Sequence, residues 1–262
     1  MYQILGDVID GIYQNNIGVD ASLPDTELLK RILSFEQALN AWRSQLPAEL
    51  EVRSTDGIIQ CLNTSSLFSE LSTVITLRYL MTRLLLHRPV VARFLDRKNE
   101  QGGFEISEIL ELFGEPSLKL GVRSASEMID IVFALSEHPH LMLTTWWFSI
   151  YYCELPCIPL VIVPYEMTDL ATVFSASLVV FSAMILKQQH STLLFCREHL
   201  ELSNALLKAE KALERIGNGT RMVARCLKHL RKLTQFVETF GMFEKPLECP
   251  PSLYFDLTNA SF

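Results

Sequence analysis

The sequence predicts an all-α protein, and three observations carry that expectation. Apolar residues recur every three or four positions along most of the 262 residues. Only one segment, 158–163, has the β-branched run of a buried strand, and Pro156, Pro159 and Pro164 punctuate it. The chain is 49% hydrophobic and 20% charged, with a mean hydropathy of +0.21, so it can bury a large core and is not disordered throughout. Helix hairpins packed on a common core are the expected architecture.

The elements follow in order. Pro24, Asp25, Thr26 and Glu27 supply a helix start with first-turn acids, after which Leu28, Ile32, Phe35, Leu39, Trp42 and Leu46 line one face until Pro47 stops the helix. A second long segment, about 65–95, carries Leu67, Leu71, Val74, Leu77, Met81, Leu84 and Leu85 on a broad apolar face. Pro89 is expected to kink or end it, because proline lacks the helix N–H and clashes with the preceding turn. The polar stretch 96–103, ending in Gly102-Gly103, reads as a loop. Segments 126–135 and 141–152 read as two helices broken by His138-Pro139-His140. Near the end, 201–216 and 220–240 form a helical pair around Gly217-Asn218-Gly219, a turn that favours positive φ.

Charge and motifs exclude several function classes. A net charge of −7 and a pI near 5.4 remove bulk electrostatic attraction to nucleic acid. Six cysteines (61, 153, 157, 196, 226 and 249) form no disulfide framework, which points to a reducing compartment. The first residues lack the basic and apolar runs of a secretory signal, so the sequons at Asn63, Asn218 and Asn259 carry little weight. There is no P-loop, no GxGxxG and no GxSxG. His138 and His140 lie two apart across a proline, with no carboxylate or cysteine to complete a metal site, and read as surface residues. Cys153 and Cys157 have no second pair at structural-zinc spacing. No base is positioned for a cysteine nucleophile, so no catalytic residue, cofactor or metal ligand is assigned and an enzyme is not expected.

Two charged features have plain readings. Arg221, Arg225, Lys228, Arg231 and Lys232 form a basic stripe that suits nuclear import or phosphate contact, but a solvated helix face explains it more simply. Glu108, Glu111 and Glu115 are likewise read as solvated. Trp42, Trp146 and Trp147 lie on apolar segments, where core packing is the first explanation.

Taken together, five segments resemble one family, the fungal-specific transcription factor domain (middle homology region) of zinc-cluster regulators. They are the leading helix 4–13 with the run 39–47, which holds Trp42 and Pro47; the run 77–89, with Arg78, Tyr79, His87, Arg88 and Pro89; the helix 126–132; the Trp-rich segment 143–152, with Trp146 and Trp147; and the closing pair 205–216 and 221–233. The resemblance implies an all-α regulatory module over 1–262 in a nuclear protein that controls RNA polymerase II transcription. In that family a separate N-terminal cluster of six cysteines binds two zinc ions and reads DNA. No Cys-x2-Cys-x6-Cys occurs here, so the resemblance implies a chain that neither holds zinc nor reads DNA specifically, and that begins midway through the regulatory domain. The partners it implies are a small-molecule effector, a transcriptional co-regulator or a second copy of the chain. It does not imply a membrane.

Within the match, His87, Arg88 and Pro89 have two readings. They form an effector-sensing surface, or Pro89 ends the helix while His87 and Arg88 bond its last free carbonyls, the simpler account. One stretch departs from the family pattern. Residues 153–171 separate the Trp-rich segment from Val173, where the pattern resumes, and read as a surface insertion or a short intron translated in frame. Suitable codons would place a splice donor at Cys153-Glu154, a branch point at Thr168-Asp169 and an acceptor at Leu170-Ala171. Two rival classes stand beside the regulator: a stand-alone helical interaction protein, and a membrane-associated protein using 146–165 and 171–186. The second is disfavoured by Glu154 and by backbone groups left unsatisfied at three prolines.

Overall fold

The computed structural model describes residues 1–13, 23–62, 67–95, 108–137, 166–189, 199–216 and 221–239, and among them no strand occurs. The described residues are all-α, as the periodicity predicts. The loop 96–103, the segments 141–152 and 158–163 and the turn at 217–219 lie outside them. Of 153–171, only 166–171 are described.

The chain opens with α1 (Tyr2–Val8), which runs into a π turn at Ile9–Tyr13. Helix α2 (Asp25–Ser44) begins at Pro24, whose carbonyl accepts from the Leu28 N–H at 2.9 Å, and Asp25 and Glu27 place negative charge in its first turn. It ends two residues before Leu46. After a 3-10 turn at Ala48–Leu50 comes α3 (Thr55–Leu62), short and not foreseen in the sequence. Two hydroxyls of α4 (Leu67–Leu95) hold the stretch between them: Ser72 donates to the Glu51 carbonyl at 2.7 Å, and Thr76 Oγ1 accepts from the Arg53 N–H at 3.0 Å.

Helix α4 is the centre of the fold. Tyr79, Leu80, Leu84, Leu86, Val90, Val91 and Phe94 are all buried, and they point in several directions around its axis. Leu67, expected inside, is instead 57% exposed at the helix start. Buried Thr73, Thr76 and Thr82 bond carbonyls one turn earlier, so their hydroxyls are satisfied within the helix.

Of the two outcomes the sequence left open at Pro89, a kink or an end, the structure removes the second. The helix continues to Leu95, and the missing N–H leaves the Leu85 carbonyl without its usual partner. Tyr13 fills the gap: its Oη donates to Leu85 O at 2.7 Å across the fold.

Helix α5 (Glu108–Ser136) starts well before the predicted 126–135 and runs through Pro116. Gly114 and Gly121 let it lie close against α4. A Cβ at Gly114 would meet Phe94 Cε2 at 2.9 Å, and one at Gly121 would meet His87 Cβ at 2.9 Å. Because Phe94 faces Gly114 while His87 faces Gly121, the two helices run antiparallel. The remaining helices are α6 (Glu166–Gln189), α7 (His199–Ile216) and α8 (Arg221–Thr239). Small residues of α6 and α7, Ala176, Ala183, Ala205, Ala209 and Ala212, are buried with Val122, Met128 and Ile129 of α5 in one continuous core. No helix among the described residues is long and apolar enough to cross a membrane.

Candidate functional site

The run 77–89 lies in the middle of α4, and its helical spacing decides where each side chain goes. Tyr79, Arg83 and His87 recur every four residues and share one face, turned toward α2 and α5. Arg78 and Arg88 lie on other faces and do not join them.

At the inner end, His87 is 1% exposed and bonds two helices at once. Its Nδ1 lies 2.8 Å from Ser117 Oγ on α5, and its Nε2 lies 3.3 Å from Glu36 Oε2 on α2. An ionised carboxylate only accepts, so Nε2–H donates to Glu36; with the imidazole neutral, the Ser117 hydroxyl donates to Nδ1. Arg83 Nη2 completes the set as an ion pair with Glu36 Oε1 at 2.5 Å. Burial alone would raise the Glu36 pKa. The His87 hydrogen bond and the Arg83 charge outweigh it, so the carboxyl is held below its ordinary range.

Above this relay, Tyr79 is 1% exposed and forms an aromatic layer. Trp42 stacks on it with ring centroids 6.4 Å apart and planes 18° from parallel, and the guanidiniums of Arg43 and Arg83 lie 5.7 and 5.8 Å from its ring centre. Its Oη donates to Asn40 Oδ1 at 3.4 Å, a long bond. Glu127 of α5 is pushed up by burial, against the fields of Arg123, Arg43 and Arg83.

The structure therefore gathers Trp42, Tyr79 and His87 into one assembly, with Tyr79 and His87 buried and Trp42 half-buried, and disperses the other matched residues. Arg78 covers the Tyr2 ring at 4.8 Å. Arg88 is exposed, Pro47 is exposed just past the end of α2, and Trp146 and Trp147 lie outside the described residues. Both readings of His87 are corrected: it is neither a surface residue nor a cap for helix-end carbonyls, because the helix does not end there. Sequence reasoning missed Glu36, Arg83 and Ser117. Glu36 had a legible signal, an acid standing four residues after Ile32 and three before Leu39 on the apolar face of α2.

Ser117, His87 and Glu36 are connected like a hydrolase triad, but the chemistry is that of a clamp. Ser117 is 7% exposed and is held between packed helices whose approach leaves no room for a Cβ at Gly121. Among the described residues no group of three or more His, Cys, Asp or Glu could hold a metal ion. Cys153 and Cys157 lie outside them. On the basic stripe, Arg225, Lys228, Arg231 and Lys232 are exposed, as a solvated face requires, and Arg231 bonds Glu210 at 2.8 Å and also Glu214 on α7. Glu108 and Glu111 are exposed, while Glu115 pairs with Lys119 at 2.8 Å.

Comparison with known proteins adds a second line of observation. The chain is similar to fungal transcription factors. It is 23% identical over 241 residues to a protein of Gibberella moniliformis named Transcription factor FBD3, and 26% identical over 243 residues to one of the same name in Fusarium pseudograminearum. Each match covers 90% of this chain and 29% of the relative, so the chain spans less than a third of the length of the curated relatives it matches. No family model matches the chain, and no solved structure matches it.

Proposed function

We propose that the chain is the regulatory, middle-homology part of a fungal transcription factor, acting in the nucleus through intramolecular control, an effector or a co-regulator. The observation that carries this reading is similarity along 90% of the chain to two proteins named as transcription factors. The matched residues support it. Trp42, Tyr79 and His87 sit together in a clamp, half-buried at Trp42 and buried at the other two, that bridges three helices, which suits a structural signature better than a reactive centre. Acidity overall argues against this chain itself carrying specific DNA contact, and on the basic stripe Arg231 is already engaged by Glu210 and Glu214. In this reading DNA and two zinc ions belong to a six-cysteine cluster that these 262 residues do not contain, and the chain needs no cofactor.

The test is a transcriptional fusion. The chain joined to a heterologous DNA-binding domain in yeast should raise or lower a reporter several-fold relative to that domain alone, and the purified chain should not shift promoter DNA. A silent, cytoplasmic fusion would count against the proposal.

A further inference from the structure

Helices α5 and α7 are joined by two ion pairs, seven residues apart on each helix. Asp130 meets Lys208 at 2.5 Å and Glu137 meets Arg215 at 3.2 Å, each pair 78 residues apart in sequence. Residue numbers rise together on both sides, so the helices run parallel, and the two rungs stand seven residues, two helical turns, apart. One more step of seven, about 10 Å along the axis, sets Arg123 opposite Glu201. That rung is not made. Neither side chain forms an ion pair with a described residue, although the field of Arg123 also reaches Glu127 on its own helix, and a groove of about 590 Å³ opens between the helices where the contact would be.

The groove has the layout of a small-molecule site. Val122, Leu202 and Ala205 form an apolar floor, each 2–3% exposed. Arg123 stands on one wall and Glu201 on the other. One turn further along, Ser126 and Asn204 add a hydroxyl and an amide, and the made rung of Asp130 and Lys208 lies beyond them. Lys211 adds a cation at the rim. A simple anion drawn to Arg123 would meet Glu201, and a simple cation would meet Arg123. A molecule carrying both charges a few bonds apart satisfies both.

We propose that this open rung binds a small zwitterion, an α-amino acid with an apolar side chain. Its carboxylate lies on Arg123, its ammonium on Glu201 and its side chain on the Val122–Leu202–Ala205 floor. The assignment deepens the regulatory reading by naming the chemistry of an effector and rests on it for that consequence alone; binding is a property of the groove.

Calorimetric titration of the full chain with L-leucine, N-acetyl-leucine and leucinamide tests it. Leucine should bind saturably, and capping either end should weaken binding about tenfold or more, the loss of one charge-assisted hydrogen bond. Arg123→Ala should bring leucine down to the level of leucinamide, and Glu201→Ala should bring it down to that of N-acetyl-leucine. A merely structural role for either residue would not produce that crossed pattern. Should either variant fail to fold, the comparison of capped and uncapped ligands on the unaltered chain still decides. No saturable binding of leucine, isoleucine, valine, methionine or phenylalanine, or equal binding of capped forms, overturns the site. The reporter fusion separates the two ideas: a silent fusion whose chain still binds leucine refutes the regulatory reading and leaves the site standing.

Discussion

Replacing Tyr13 with phenylalanine removes one hydroxyl and leaves the ring, so it isolates a single hydrogen bond. In an uninterrupted helix the Leu85 carbonyl would accept from the N–H of residue 89; Pro89 has none, and Tyr13 Oη supplies the bond at 2.7 Å. Stripping a partly buried carbonyl of its donor costs about 1–2 kcal/mol, the lower half of the range for buried groups because Tyr13 is half-buried. For a chain of this size that lowers Tm by roughly 2–8 °C. The decisive assay is a thermal-melt cycle of the wild type, Tyr13→Phe, Pro89→Ala and the double variant. Alanine at 89 restores an N–H for Leu85, so the Tyr13→Phe penalty should shrink to less than about 0.5 kcal/mol in that background. Equal penalties in both backgrounds would refute the reasoning. Alkaline pH supplies a second reading. Burial raises the Tyr13 pKa to about 12, against the pull of Arg88. The folded state thus holds this proton more tightly than the unfolded chain does. Its contribution is complete below about pH 10 and falls by up to about 2.7 kcal/mol by pH 12. Over that interval the wild type should lose ground to Tyr13→Phe.

Other outcomes follow from the same geometry. Glu36→Gln leaves Arg83 without its carboxylate and should destabilise by about 3 kcal/mol in urea unfolding. Because the Glu36 pKa is lowered on folding, its contribution is present above the ordinary carboxylate value and is lost as pH falls through the depressed one. Urea midpoints measured from about pH 6 to 3 should therefore fall more steeply for the wild type than for the variant. Gly121→Ala drives a methyl to 2.9 Å from His87 Cβ and should lower stability by about 1–3 kcal/mol despite the better helix propensity of alanine. Gly6→Ala has nothing within 4 Å and should stabilise by about 0.5–1 kcal/mol in the same melts, so an identical sign for the two glycines would contradict the packing.

How much of this was legible depended on whether local rules and tertiary packing agreed. Helix α2 announced itself through Pro24, its first-turn acids and a clean apolar stripe, and it formed within a few residues of the expected span. The first half of α5 did not, because Gly114, Pro116 and Gly121 all read as helix breakers. The two glycines are there for close approach to α4, a requirement no local pattern records, and Pro116 is exposed, where water can bond a carbonyl left without its helix N–H. The helix end that Pro89 allowed does not occur for a related reason: its penalty is offset by Tyr13, 76 positions earlier. In the clamp, Tyr79 and His87 were visible as parts of a familiar run. Ser117 could not be found that way, since one serine among many gains meaning only when α5 sets it 2.8 Å from a buried imidazole.

The parallel course of α5 and α7 also bears on how the molecule is made. Every rung between them closes a loop of 78 residues, so none can form early in synthesis. As the chain leaves the ribosome, α5 can dock on α4 at once and α6 can follow, but the face of α5 that packs on α7 has no cover until α7 has been translated. During that interval Val122, which lies beside Leu202 and Ala205 of α7 in the finished fold and is 2% exposed there, lacks that cover. A pause in translation just before residue 199 would hold the nascent chain with that face open, and a stop codon there would leave it so.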